Sequence, residues 1–432
     1  MTNTSSNSRN LHPVSRWLQK QNTWVFSLFA ISASFLTYAC MYAFRKPYSA
    51  AAFDGLELFG LEFKTVLIIS QVLGYTCSKF LGIKVVSEML PHRRIAAIFG
   101  LIVISEIALF GLWKAPISWA WFFLFTNGLP LGIVWGLVFS FLEGRRNTEL
   151  LGAGLSISFI VSSGVVKSVG KFMILNLGIS EFAMPFYTGV LFIPLLLFSL
   201  WMLHKIPPPT KEDIEERTER IPMNRAQRKA FFIQFWPGLI VLTIIYMALT
   251  AYRDLRDNYA LEIFEGLGYV DDAAVFTQTE VPIAIIVLIV IASLMFIRNN
   301  AKALMINHYI IGFGIGLIGI ATVAFSLQWI SPYFWMVFVG LGSYLGYVPF
   351  NCILFDRFIA TYKQAANAGF LIYVADSFGY LSSISLLLFK NFLQPNISWY
   401  QFFVEFSLIM SAIGVVFTII SGIYFSRILK TY

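Results

Sequence analysis

Apolar segments of roughly bilayer length dominate this sequence. A bilayer core about 30 Å thick requires about 20 apolar residues per helix, and twelve segments meet this requirement. We therefore expect an all-α polytopic membrane protein with twelve transmembrane helices. The predicted spans are 24–52, 64–83, 95–113, 117–142, 150–176, 182–204, 232–262, 274–297, 303–328, 332–358, 366–390 and 398–426.

The composition argues against the main soluble classes of protein. Hydrophobic residues make up 58% of the chain and charged residues 12%, whereas soluble domains carry about 25% charged residues. The cysteines Cys40, Cys77 and Cys352 are too far apart for a CxxC pair, and neither a metal-ligand cluster nor a nucleotide-binding loop is visible. We predict no enzyme activity, no cofactor, no bound metal and no nucleic-acid partner.

The distribution of basic residues predicts the orientation of the chain. Lys and Arg are retained on the cytoplasmic side of membrane proteins. If the polar N-terminal tail is cytoplasmic, most of the 31 Lys and Arg fall in inner loops, in the tails or at inner span ends. We therefore expect both termini to be cytoplasmic, and the net charge of +8 is then mostly an orientation signal.

A hydrophilic stretch, 205–229, divides the spans into two groups of six. Three prolines from Pro207 to Pro209 end the sixth span, and the mixed-charge run that follows is compatible with a surface helix. Two six-helix bundles joined by a cytoplasmic linker form the major facilitator superfamily fold, whose substrate site lies between the bundles near the midplane. The predicted divisions are 1–204 for the tail and first bundle, 205–231 for the linker and 232–432 for the second bundle.

Charged residues inside the predicted spans are the first candidates for function. An ionised group in the bilayer core costs several kcal/mol unless it is paired or faces water. Among the candidates selected here, those in the first half are all basic, and the acidic ones are confined to the second half. The candidates are Arg45, Lys46, Lys79 and Lys167, and then Arg253, Asp254, Arg256, Asp257, Glu280 and Asp376.

Spans one and seven carry the same 4-3-4 spacing of polar residues, which places each set on one helical face. The positions are Tyr38, Tyr42, Arg45 and Ser49 in span one, and Tyr246, Thr250, Arg253 and Asp257 in span seven. Pseudo-symmetric halves would bring the two arginines together at a central cavity. Two guanidinium groups with paired N–H donors suit a small dianion such as phosphate.

Two other readings of these arginines remain open from the sequence. Arg45 and Lys46 could extend to the outer headgroups, since Arg45 lies about 21 residues past Trp24 and helix rise alone would place it near the outer interface. Arg253 could instead pair with Asp257 at i+4, and in that case Arg256 would be the arginine left free.

The remaining intramembrane charges suggest supporting roles. Lys79 and Lys167 could face the cavity as additional cations. Asp376 shares a helical face with Tyr373, and we expect it to face the cavity or to pair with a first-half cation. Glu280 opens an apolar run and is either a polar span end or, like Asp376, a carboxylate whose pKa apolar surroundings raise into the titrating range.

Several segments resemble the organophosphate:phosphate antiporters of the major facilitator superfamily. YAFRKPYSAA resembles the signature of that family's first helix and GYTCSKFLG its second-helix SKF segment. YRDLRDNYALE, TQTEVPIAI and DSFGYLSS occupy the places of family segments in helices seven, eight and eleven. The resemblance implies phosphate binding by Arg45 and Arg253, support from Lys79, and exchange with inorganic phosphate.

We therefore expect a monomeric transporter of a small organic anion, an organophosphate or phosphonate, in a bacterial inner membrane. A proton-coupled organic anion transporter and a transporter-like membrane receptor are the alternatives. The predicted substrate-binding residues are Arg45, Arg253, Lys79, Tyr38, Tyr42, Lys46, Tyr246, Arg256, Lys167 and Tyr373, and the predicted coupling or gating residues are Glu280, Asp376 and Asp257.

Overall fold

The prediction of twelve spanning helices is confirmed. The structure is a computed structural model that describes residues 12–143, 145, 148–209, 213, 225–362 and 368–429. Twelve of its helices are long and apolar enough to cross a membrane. In chain order they are α1 Thr23–Ala43, α2 Phe63–Glu88, α3 Arg94–Lys114, α4 Ala120–Phe139, α5 Thr148–Leu177, α6 Met184–His204, α7 Arg225–Asn258, α8 Val275–Ser293, α9 Asn300–Ser326, α10 Pro332–Cys352, α11 Ala368–Leu393 and α12 Trp399–Leu429.

Short elements connect or extend these helices. The α-helical ones are Pro13–Gln19, Ala260–Gly266 and Leu354–Thr361, and the 3-10 turns are Pro47–Ala50, Pro91–Arg93, Ile117–Trp119 and Leu294–Phe296. Between α1 and α2, strands β1 (Glu57–Leu58) and β2 (Leu61–Glu62) form an antiparallel hairpin. Its two-residue turn, Phe59 and Gly60, has φ values of 58° and 75°, as a type I′ hairpin turn requires.

The two faces of the helical bundle are named here by their connections. Twelve successive spans return the chain to the side on which it began, so His12 and Leu429 lie on one face. We call this the terminal face. The opposite, distal face carries the connections 44–62, 115–119, 178–183, 259–274, 327–331 and 394–398.

The outer surface of the bundle is apolar, as contact with lipid requires. Large hydrophobic side chains such as Ile320 and Phe313 are 71% and 63% exposed. Helices suit this environment because their backbone hydrogen bonds are satisfied within each segment. Inside the bundle, small residues allow close contact between helices. A Cβ on Gly128 of α4 would lie 2.2 Å from the carbonyl oxygen of Gln71 in α2.

The chain forms two six-helix bundles, α1–α6 and α7–α12, as predicted. Across the interface between them, α2 packs against α11 and α5 packs against α8. Helix α7 begins at Arg225, seven residues before its predicted start. The predicted linker helix falls mostly on 210–224, which lies outside the described residues apart from position 213, and the domain boundaries stay predictions.

Helix α1 is shorter than predicted. The expected span was 24–52, but α1 ends at Ala43, and a separate 3-10 turn begins at Pro47. Pro47 has no backbone N–H with which to continue the i→i−4 hydrogen bonds. The amides of Phe44 and Arg45 already bond to the carbonyls three residues back, at Met41 and Tyr42, so the last turn tightens and the helix ends. Arg45 and Ser49 therefore lie beyond the helix that carries Tyr38 and Tyr42, and the predicted 4-3-4 helical face of span one was wrong at these two positions.

Candidate functional site

Two buried amides hold the chain in place where α1 ends. The Nδ2 of Asn127 donates a hydrogen bond to the carbonyl of Phe44 at 2.9 Å. The Nε2 of Gln71 donates to the carbonyl of Arg45 at 2.9 Å and to Asn127 Oδ1 at 2.7 Å. These bonds satisfy carbonyl groups that the helix end leaves without partners. Residues 44–46 are thus fixed in a non-helical segment buried inside the protein.

Arg45 is buried in this segment without an acidic partner. Its side chain is 6% exposed, and the guanidinium carbon lies 3.9 Å from the ring centroid of Tyr75 and 5.8 Å from that of Tyr42. Within the described ranges no carboxylate lies within 4 Å, and Nε has no hydrogen-bond partner. An unpaired buried cation is costly, and an anionic ligand would offset that cost.

The alternative in which Arg45 and Lys46 extend to the headgroups is wrong. Lys46 is 4% exposed, less than Arg45. Its ammonium lies 2.5 Å from Asp257 Oδ2 and donates to Asn258 Oδ1 at 2.7 Å. Both side chains are directed into the protein, toward different partners.

Arg253 pairs with its neighbour in sequence. Its Nη2 and Nε lie 2.7 Å and 3.2 Å from Asp254 Oδ1, and its guanidinium carbon lies 4.0 Å from the ring centroid of Tyr347. The second oxygen of Asp254 accepts a hydrogen bond of 2.9 Å from Ser383 of α11. The alternative pairing of Arg253 with Asp257 was therefore wrong.

An ion pair between Lys79 and Asp376 links the two halves. Lys79 Nζ of α2 lies 3.2 Å from Asp376 Oδ2 of α11, so the expected pairing of Asp376 with a first-half cation is present. Tyr246 donates a short hydrogen bond to the other oxygen of Asp376, and its hydroxyl lies 3.0 Å from that of Tyr347. The ring of Tyr373 lies 5.6 Å from the Lys79 ammonium.

These contacts form one continuous group between the halves, which we call the central cluster. It runs from Arg45 through Tyr75 to Lys79 and on to Asp376, and then through Tyr246 and Tyr347 to Arg253. Tyr75 also contacts Tyr380 of α11 at 5.0 Å, and Tyr38 contacts Tyr42 at 5.7 Å. The charged members are Arg45, Lys79, Arg253, Asp254 and Asp376.

A second set of ion pairs joins the halves closer to the distal face. Asp257 lies between Lys46 and Lys167, at 2.5 Å and 2.7 Å, and also accepts a hydrogen bond from Ser163. Lys64 lies 2.5 Å from Glu262. We call the five charged residues Lys46, Lys64, Lys167, Asp257 and Glu262 the distal seal. Lys46 and Lys167 contact Asp257 here, and their predicted substrate contacts stay predictions.

Of the three ion pairs of the distal seal, Lys64–Glu262 differs in that its acidic partner lies outside the spanning helices. Glu262 lies in the helix Ala260–Gly266, outside the spans. Burial raises the pKa of its carboxyl group because a buried carboxylate loses hydration, while the nearby Lys64 ammonium acts in the opposite direction. Close packing of the halves at this level depends on Gly164 of α5, where a Cβ would lie 2.5 Å from the carbonyl oxygen of Phe276 in α8.

Arg256 and Glu280 form a pair within the second half. Arg256 Nη1 lies 2.5 Å from Glu280 Oε1, and Nη2 donates to the carbonyl of Met336 at 3.1 Å. The three residues belong to α7, α8 and α10. This arrangement ties three helices together, and it favours Arg253 over Arg256 as the arginine of the central cluster.

Sequence reasoning missed several members of the site. Gln71 and Asn127 are neutral, so the cost of intramembrane charge gave no signal for them. Tyr75, Tyr347 and Tyr380 were likewise not selected. Tyr75 lies at i−4 from Lys79 and Tyr380 at i+4 from Asp376, one helical turn from a selected residue, whereas no selected residue lies near Tyr347 in the sequence. Within the described part of the chain, no group of His, Cys, Asp and Glu could hold a metal ion.

Solved transporter structures share this fold. The structure of a D-xylose-proton symporter superposes with a TM-score of 0.62 at 13% sequence identity, covering 92% of this chain and 97% of that chain. A bacterial homolog of the human lysosomal transporter Spinster, inward-facing and unoccupied, gives a TM-score of 0.57 at 14% identity, covering 94% and 98%. At these identities the likeness establishes the fold.

Sequence comparisons give a family but no characterised relative. No curated protein matches the sequence. The model of a family of unknown function, DUF5690, matches residues 47–428, which include the whole central cluster except Arg45 and the α1 tyrosines. This integral membrane protein with the major facilitator superfamily fold therefore belongs to the DUF5690 family.

Proposed function

We propose that this protein is a secondary active transporter that moves a small organic anion across the membrane by alternating access. The observation that carries the proposal is Arg45, a buried arginine without an acidic partner among the described residues, at the interface of the two bundles. Its guanidinium offers several N–H donors beside aromatic rings. An anion placed there would make charge-assisted hydrogen bonds in a low-dielectric setting.

Arg253 and Lys79 complete the proposed binding site from both halves. Each is held by one carboxylate and faces tyrosine rings, so each keeps donors that a ligand could reach. A ligand bound to first-half and second-half cations together would favour the closed arrangement of the bundles. Such differential contacts are what a transport cycle requires.

The proposed substrate is an organophosphate or phosphonate that exchanges with inorganic phosphate. The support for this class is the resemblance of YAFRKPYSAA and GYTCSKFLG to the organophosphate:phosphate antiporters, since these segments contain Arg45 and Lys79. Arginine binds tetrahedral oxyanions through its planar fork of N–H donors. In the proposed cycle the organic anion enters in exchange for inorganic phosphate that leaves, so there is no net uptake of anion.

A proton-coupled organic anion transporter is the second candidate. The Lys79–Asp376 pair across the interface favours it, because protonation of Asp376 would release the link between the halves. One of the structural relatives, by its description, is a D-xylose-proton symporter. Uptake driven by a pH gradient alone would support this candidate over exchange.

We propose that the terminal face is cytoplasmic, that the membrane is a bacterial inner membrane and that the transporter is a monomer. The support for the orientation is the excess of Lys and Arg predicted on that side. Reporter tags at Met1, in the 205–229 stretch and at Tyr432 should all be cytoplasmic. An external location of any one of them would contradict the proposed orientation.

The decisive test uses the purified protein in liposomes loaded with inorganic phosphate. Labelled organophosphates, phosphonates and carboxylates are offered outside, and we expect uptake that requires internal phosphate. Arg45→Lys keeps the charge but loses the planar fork. Charge-assisted contacts contribute roughly 1.5–3 kcal/mol, so affinity should fall about tenfold to a hundredfold.

Arg298→Lys is the matched control, because Arg298 is exposed in the connection between α8 and α9. Its transport should equal that of the wild type. If Arg45→Lys also transports like the wild type, Arg45 does not bind the substrate anion. If no anion is taken up under any gradient, the transporter proposal fails.

A further inference from the structure

We propose that Asp254 sets the charge of the substrate, so that the site accepts singly charged anions in preference to doubly charged ones. This inference rests on the proposed function and adds a specificity residue to it. Asp254 belongs to α7, next to Arg253 in sequence, and its side chain is 9% exposed. It takes the Nε and Nη2 donors of Arg253, which a substrate oxyanion would otherwise share.

The contacts of Asp254 show that this position is fixed. One oxygen, Oδ1, accepts from both Nη2 and Nε of Arg253, at 2.7 Å and 3.2 Å. The other oxygen, Oδ2, accepts from Ser383 Oγ at 2.9 Å. Asp254 is therefore held by α7 and α11 together.

The balance of charge in the central cluster follows from these pairs. Asp254 offsets Arg253, and Asp376 offsets Lys79 at 3.2 Å. Arg45 remains as the cation without a carboxylate partner among the described residues. The cluster thus has one positive charge in excess. The next charges toward the distal face, Lys46 and Lys167, already share Asp257.

One excess positive charge matches one negative charge on the ligand. A second negative charge would lie close to the Asp254 carboxylate, and like charges in a site of low dielectric repel strongly. A phosphate monoester or phosphonate would then bind in its singly charged form. Replacing Asp254 by a neutral isostere would free Arg253 and shift the preference toward dianions.

The test compares two anions of the same skeleton that differ by one charge. Ethanesulfonate carries one charge, and ethylphosphonate carries two at a pH well above the second pKa of its phosphonate group. Isethionate and its phosphonate analogue form a second, hydroxylated pair. Affinities of the purified full-length protein are measured from ligand-induced thermal shifts. The wild type should prefer the sulfonate of each pair. Asp254→Asn should change the ratio of affinities by about tenfold or more toward the phosphonate.

Two further variants make the result specific. Asp54→Asn makes the same chemical change at an exposed position of the distal connection and should leave the ratio unchanged. Ser383→Ala keeps the Asp254 charge but removes the hydrogen bond that fixes it. We expect a smaller shift in the same direction, and this variant replaces Asp254→Asn as the test if the latter fails to fold.

The outcomes separate the inference from the proposed function. If the wild type binds both kinds of anion and its ratio is unchanged in Asp254→Asn, the role of Asp254 is refuted while the anion site stands. A wild type that prefers the dianion, or an equal shift in Asp54→Asn, also overturns the inference. If the wild type binds none of the four anions, the anion site itself is absent.

Discussion

Replacing Asp257 by Asn should open the distal face. The carboxylate joins the halves through Lys46 at 2.5 Å and Lys167 at 2.7 Å, and its side chain is 13% exposed. Removing one partner of a buried ion pair costs about 3–5 kcal/mol because the other charge is left unpaired. Asn keeps the shape and some hydrogen bonds, so we use the lower end of this range.

A change of about 3 kcal/mol alters an equilibrium constant by roughly a hundredfold. The ratio of distally closed to distally open molecules should fall by that factor, because the two lysines repel each other once the shared carboxylate is gone. The measurement is the distance distribution between spin labels at Asp54 and Val270. Both positions are exposed in distal connections, one in each half.

Asp271→Asn is the control for this experiment. Asp271 Oδ1 also faces a lysine of α5, Lys171, but at 3.8 Å and with a side chain that is 66% exposed. Exposed pairs of this kind contribute about 0–1 kcal/mol, so its distance distribution should match the wild type. An unchanged distribution in Asp257→Asn would mean that the ion pairs do not hold the distal face closed.

Two further predictions concern the other buried pairs. Asp376→Asn should fold but change transport or its pH dependence, since it breaks the ion pair with Lys79 that links the halves. If the variant transports like the wild type at every pH, the role of Asp376 is structural only. Arg256→Lys should lower the melting temperature, because lysine cannot hold both Glu280 and the Met336 carbonyl, with a cost of about 1–3 kcal/mol. Its substrate affinity should stay at the wild-type value, and a loss of affinity without a loss of stability would show that Arg256 contacts the ligand.

The sequence was sufficient for the helices and for most charged residues of the site, although Lys64 and Glu262 of the distal seal were not selected. Segment length and hydropathy locate each span, because the bilayer imposes one length on all of them. The cost of intramembrane charge selects residues such as Asp257 and Asp376 without any knowledge of the fold. The end of α1 at Ala43 was also readable in principle, since Pro47 lies within the predicted span.

The pairing of these charges could not be predicted from the sequence. Lys46 and Asp257 belong to different halves, and their contact depends on how the bundles meet. Arg253 and Asp254 are adjacent, yet neighbours on a helix point in different directions, so the i+4 partner Asp257 looked more plausible. The long arginine side chain folds onto the carboxylate of the next residue, Asp254. Asp257 forms ion pairs with two lysines of the first half instead.

Where α1 ends, two neighbouring side chains, Arg45 and Lys46, have different partners. Arg45 is directed at the tyrosines of the central cluster and Lys46 at Asp257 in the distal seal, although their Cα atoms are only about 3.8 Å apart. In an uninterrupted α-helix the two side chains would point about 100° apart around one axis. Here the hydrogen bonds from Gln71 and Asn127 hold the backbone of this segment. A displacement of the segment would therefore disturb the contacts of Arg45 and the Lys46–Asp257 ion pair together.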